Sequence, residues 1–138
     1  AYQERCQYEV QQKLWDYNLD EDERLNIIAA LISENYLNEE RFAISFAEGK
    51  FRIKKWGRNK INSKLKEKKV SSYCITKGLQ AIDNEEYTQT LENIIANKLE
   101  TTKGKTFYHK KQKVASHCYQ KGYESELIWE VINQANQE

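Results

Sequence analysis

One apolar spacing recurs three times along this chain and restricts the fold more than any other feature. Val10-x3-Leu14-x4-Leu19, Ile61-x3-Leu65-x4-Val70 and Val114-x3-Cys118-x4-Tyr123 share the same intervals, with starts 51 and then 53 residues apart. Apolar residues four apart lie on one face of a helix, and self-similarity at a period of tens of residues marks a repeat architecture. The next helix repeats too: Ile28/Ile32, Ile75/Leu79 and Ile128/Ile132 are i, i+4 pairs, with four extra residues in the first copy. Long helices opened by Leu37-x4-Phe42 and Ile82-x4-Tyr87 precede the second and third copies, and the first lacks one. The expected units are therefore residues 1–36, 37–83 and 84–138.

The absence of proline and the presence of only five glycines leave little material for tight turns, and no stretch alternates as a strand does. The expected class is all-α, built from tandem three-helix repeats that bury a continuous core between neighbours. Helices are expected near 4–18 and 21–36, the second opened by the acidic run Asp20–Glu23. Asn38 should cap a third, with Phe42, Phe46 and Ile53 on its apolar face and Gly57 at its end. Ser71 or Ser72 should cap the helix of Ile75, and Ser125 the last one; eight helices are expected in all.

Net charge is only +1, so its distribution matters more than its sum. Residues 50–69 hold ten basic side chains and one acid, Glu67, whereas residues 16–40 hold eight acids and one arginine. An ordinary solvated helix face mixes both signs. A run this basic repels itself and is relieved by a polyanion or an acidic surface. A second segment, 101–122, carries six lysines and no acid, with Phe107, Tyr108 and Tyr119 among them. The candidate binding residues are Lys50, Arg52, Lys54, Lys55, Arg58, Lys60, Lys64, Lys68, Lys110, Lys111 and Lys113. Phe51 is assigned to the core, and Trp56 is left open between core packing and base stacking.

Chemistry-bearing patterns are missing. His109, His117 and Cys118 lack two further ligands at zinc spacing, so no metal is expected. Gly104-Lys105-Thr106 has no upstream glycine or strand, so no phosphate loop is expected. No nucleophile sits in a catalytic context, so neither enzyme activity nor a cofactor is expected. Cys6, Cys74 and Cys118, odd in number and far apart, read as buried thiols of a reducing cytoplasm. No apolar run spans a bilayer and no export signal is present, so no membrane partner is expected. Because the chain has no methionine, Ala1 is not expected to be the translated start.

The run Leu37-Asn38-Glu39-Glu40-Arg41-Phe42-Ala43, then Lys50-Phe51-Arg52, Lys55-Trp56-Gly57-Arg58 and Lys60-Ile61 with Leu65, resembles the RecX family of RecA regulators. The likeness extends through Arg5 and Glu9-Val10 to Leu14 at one end, and through Lys121-Gly122-Tyr123 near the other. Lys69 departs from it, standing where the family usually has glycine. The resemblance implies an elongated, curved array of three-helix repeats that lies in the groove of the RecA–single-stranded DNA filament. There it inhibits recombinase and co-protease activity in DNA repair, recombination and the SOS response, as a cytoplasmic monomer. Two other readings stand beside it: an autonomous nucleic-acid binder, and a helical-repeat adaptor for an acidic peptide or subunit.

Overall fold

The computed structural model describes residues 4–135. Among them lie eight α-helices and no strand: α1 (Gln7–Trp15), α2 (Glu21–Ser33), α3 (Glu39–Gly49), α4 (Arg58–Glu67), α5 (Ser72–Gln80), α6 (Asn84–Thr101), α7 (Phe107–Lys121) and α8 (Ser125–Ala135). A π-helical stretch, Lys50–Lys54, directly follows α3.

Short polar side chains start most of these helices by accepting a backbone N–H three residues on, which satisfies one of the orphan donors of a first turn. Asp20 accepts from Glu23 at 2.8 Å, Ser71 from Cys74 at 3.2 Å, Asp83 from Glu86 at 2.9 Å and Thr106 from His109 at 3.1 Å. Asn38 does the same for Arg41 at 2.9 Å, as expected of its cap position. Ser125 does not cap α8. It is that helix's first residue, and the Ile128 N–H donates instead to the Glu124 carbonyl.

The end of the repeated helix explains the shared spacing. Asn18, Lys69 and Gly122 immediately precede Leu19, Val70 and Tyr123, and all three have positive φ, at 56°, 60° and 103°. A left-handed residue at a helix end turns the chain back, so that the next apolar residue folds onto the helix just completed. The Val70 N–H donates to the Leu65 carbonyl and the Tyr123 N–H to the Cys118 carbonyl, each at 3.2 Å. Val70 and Tyr123 are buried. Lys69 thus occupies a backbone conformation in which a Cβ is strained, which accounts for the glycine expected there from the resemblance.

The chain forms two compact units, one comprising residues up to Gly49 with Asn62–Ala81, the other Lys50–Ile61 with residues from Ile82 on. In the first, α3 packs on α5 and α1 on α2. Gly78 permits the α3–α5 approach, since a Cβ there would stand 2.7 Å from the Ala43 carbonyl oxygen. In the second, α6 packs against α7 and α8 around Tyr87, Leu91, Ile95, Cys118 and Ile132, all fully buried.

Several apolar residues depart from expectation. Ile53 is 79% exposed, because the switch from α- to π-helical hydrogen bonding after Gly49 changes which residues share a face. Phe51 takes the inward position and is buried. Leu25, Ile32 and Tyr36 also face solvent, although their spacing marks one helix face. Cys6 and Cys118 are buried, and desolvation raises each thiol to about 11; Cys74 is only half-buried. Among the described residues no helix is long and apolar enough to cross a membrane.

Candidate polyanion-binding site

The most basic part of the chain is not a plain helix surface. After Gly49 the chain runs through the π-helical stretch and turns at Lys55, whose φ is +60°, before α4 begins at Arg58. Arg52, Lys54 and Lys55 are exposed on this segment, and Trp56 is half-buried.

Four contacts pin the turn to the corner between α7 and α8. The Gly57 N–H donates to the Lys121 carbonyl and the Asn59 N–H to the Gly122 carbonyl, both at 2.8 Å. The Tyr123 hydroxyl donates to the Lys55 carbonyl at 2.9 Å. Two glycines make this possible, because a Cβ on Gly57 would overlap the backbone of Gly122 and Tyr123. The fourth contact is Arg58 with Glu124, at 2.8 Å.

Arg58 is used by the fold itself. Its guanidinium also donates to the Asn84 side chain at 2.6 Å and lies 3.8 Å from the centre of the Tyr87 ring. The Arg58 N–H donates to the Tyr87 hydroxyl at 3.0 Å, and that hydroxyl donates in turn to Glu124. Desolvation, followed by the hydrogen bond to Glu124, pushes the Tyr87 phenol well above its ordinary range, so it stays a neutral donor. Planar, forked and stacked on an aromatic face, Arg58 is held as lysine could not be. Arg58, expected as a partner contact, thus has its guanidinium engaged within the protein.

The remaining expected residues divide by what holds them. Lys50 and Lys60 both approach the Trp56 ring, their Nζ atoms 5.2 Å and 4.7 Å from its centre. Lys64 makes an exposed i, i+3 pair with Glu67 at 3.7 Å, an interaction worth well under ~1 kcal/mol that leaves the lysine available. Lys68 is committed: its Nζ meets Glu9 at 3.3 Å, and its carbonyl accepts from the Cys6 thiol. On α7, Lys110 and Lys111 are half-buried, with Lys111 Nζ 5.1 Å from the Phe107 ring, and Lys113 Nζ donates to the Lys103 carbonyl at 2.8 Å. Lys50, Arg52, Lys54, Lys55 and Lys60 are the candidates gathered around one turn. Tyr87, Asn84, Glu124 and Tyr123, which hold that turn, were absent from the expected set. Their signal was the pair Trp56-Gly57 and Lys121-Gly122-Tyr123, two glycine motifs whose backbones touch.

No three His, Cys, Asp or Glu side chains converge in a metal-holding group among the described residues. The arrangement instead concentrates positive charge on a turn held by hydrogen bonds.

Residues 38–79 match the family model for the second three-helix domain of RecX, and residues 85–132 match that for the third. The chain belongs to the RecX family. Among curated relatives, regulatory protein RecX of Lactobacillus johnsonii is 32% identical over 100% of this chain and 51% of its own length. RecX of Oceanobacillus iheyensis is 28% identical over 97% of this chain and 49% of its own. The chain thus spans about half the length of the curated RecX proteins it matches. The crystal structure of RecX from Lactobacillus salivarius superposes with a TM-score of 0.89 at 20% identity, covering 99% of this chain and 89% of that one. A second RecX crystal structure gives 0.85 at 17% identity over 96% and 65%. These two share the fold. The RecX relatives are regulatory proteins by name.

Proposed function

We propose that this chain binds the RecA–single-stranded DNA filament and inhibits its recombinase and co-protease activities. In this reading it acts in the cytoplasm as a monomer, without catalysis, through three repeats at residues 1–36, 37–83 and 84–138. The carrying observation is the pinned basic turn: Arg52, Lys54 and Lys55 are exposed on backbone anchored at Gly57, Asn59 and Lys55. An anchored cationic surface loses little conformational entropy on meeting a lattice of phosphates or carboxylates, so more of its Coulombic attraction appears as affinity.

The test is co-sedimentation with RecA filaments. Changing Arg52, Lys54 and Lys55 together to Glu should weaken binding by at least about tenfold, since like charges placed at an interface cost kilocalories. Helical circular dichroism should stay intact, because exposed substitutions cost the fold little. Undiminished binding would remove the turn from the mechanism.

One observation favours direct nucleic-acid binding as a second reading. α7 exposes Tyr108 and Tyr119 in a segment rich in lysine and free of acids, a combination suited to stacking bases while neutralising phosphates. Its mark would be affinity for naked single strands that falls with salt by about 0.7 log units per log unit for each phosphate neutralised.

A further inference from the structure

Ile53 is the most exposed large apolar side chain among the described residues, at 79%, and it stands on the basic turn itself. Arg52 and Lys54, its neighbours on either side, are exposed cations, as is Lys55. Two residues earlier Phe51 is buried, so the π-helical stretch turns one apolar residue inward and the next outward. The backbone beneath Ile53 is hydrogen-bonded across the stretch. The Lys55 N–H donates to the Phe51 carbonyl at 3.0 Å and the Trp56 N–H to the Lys50 carbonyl at 3.3 Å. Tyr108 and Tyr119 are also exposed, but a tyrosine has a hydroxyl for water, and an isoleucine has no polar atom to offer it.

A single exposed aliphatic residue is ordinary by itself; its place between cations on a hydrogen-bonded turn distinguishes this one. An isoleucine held out of the core gains little on folding, and the free energy of its burial remains to be gained on association. Branching at Cβ leaves its first torsion few choices, so little side-chain entropy opposes that step. Phosphates attract Arg52, Lys54 and Lys55 but meet an aliphatic side chain with a hydrated, charged backbone. A protein surface can satisfy both: an apolar pocket receives the isoleucine and carboxylates at its edge meet the cations, as in interfaces with an apolar centre and a polar rim. The apolar surface of a single strand lies between its bases, where a wedge must first unstack them.

We propose that Ile53 is the apolar anchor of the basic turn and enters a pocket, rimmed by carboxylates, on the protein component of the filament. The inference rests on the filament-binding reading above and assigns the contact of the turn to protein rather than to nucleic acid.

Co-sedimentation of the full chain with RecA filaments on single-stranded DNA, repeated across salt concentrations, tests the anchor. Ile53→Val should weaken binding about fourfold, the equivalent of one methylene, and Ile53→Ser at least about tenfold. The log–log salt slope should stay the same in both, because neither change removes a charge. Melting temperature should hold as well, since Ile53 is exposed, so that lost binding is not lost fold. Should Ile53→Ser melt early, Ile53→Val decides the matter. Affinity for free oligothymidylate should be equal in the unaltered chain and Ile53→Ser. Undiminished filament binding by Ile53→Ser would overturn the anchor, and the filament reading would stand alone if changing Arg52, Lys54 and Lys55 to Glu still weakened binding. An equal loss of filament and oligothymidylate affinity in Ile53→Ser would overturn the protein pocket and place the side chain between bases. Failure of the unaltered chain to sediment with filaments would overturn both readings together.

Discussion

α2 and α8 carry the same apolar pair and treat it differently. In α8, Ile128 and Ile132 are 1% and 0% exposed, whereas in α2 the matching Ile28 and Ile32 are 3% and 49%. The helices packed beside each pair account for the contrast. The long α6 packs against both α7 and α8, whereas α2 packs on the shorter α1. Spacing therefore specifies which residues share an apolar face, and burial of that face depends on a partner helix. α2 is also acidic at its start, with Glu21, Asp22 and Glu23 all in its first turn, opposite in sign to the basic turn.

The contrast breaks most readily in the core. Ile132→Ala should cost about 2–5 kcal/mol in urea unfolding, the range for removing a buried aliphatic side chain, while Ile32→Ala should cost less than about 1 kcal/mol. Equal losses would show that the two helices are covered alike. At the C-caps, Gly122 and Lys69 differ in how well each residue suits its left-handed backbone. Gly122→Ala should destabilise by at least about 1–2 kcal/mol, because φ is +103° and the new Cβ would crowd Lys60. Lys69→Gly at the matching site should instead stabilise, by about 0.5 kcal/mol, as relief of left-handed strain exceeds the extra chain entropy. A loss at Lys69→Gly would mean that the lysine side chain, whose Nζ lies 5.7 Å from the centre of the Tyr8 ring, matters more than the backbone.

The smallest effect concerns pH. Desolvation, then Lys98 and Lys121, lowers the pKa of His117 below its ordinary 6.5. The folded state therefore binds fewer protons than the unfolded chain, and stability is complete above about pH 6.5 and declines as pH falls toward the folded value. His117→Gln should flatten that acid-side decline, as read by melting temperature between neutral and mildly acidic pH. An unaltered slope would assign the decline to other groups.

Much of this was legible in the residues. The intervals Leu14-x4-Leu19, Leu65-x4-Val70 and Cys118-x4-Tyr123 each coincide with a left-handed helix end, and in the latter two the apolar residue that follows is buried, so a local pattern reports a local device. Asn38 was readable as a cap for the same reason, and so was the pair Ser71 or Ser72, of which Ser71 is the cap. The fate of Ile53 was not, since a helical period carries no sign of the change to π-helical bonding after Gly49. Arg58 looked like one more cation in a run of cations. Its commitment to Glu124, 66 residues away, depends on tertiary geometry, and only the two glycine motifs hinted that those segments meet.

If the anchored turn brings its cations to the RecA filament, RecA-driven strand exchange should depend on those cations. The unaltered chain should inhibit exchange in a dose-dependent manner, and the chain with Arg52, Lys54 and Lys55 changed to Glu should need at least about ten times more protein for the same inhibition. Equal inhibition by both chains, at equal helical content, would contradict the account.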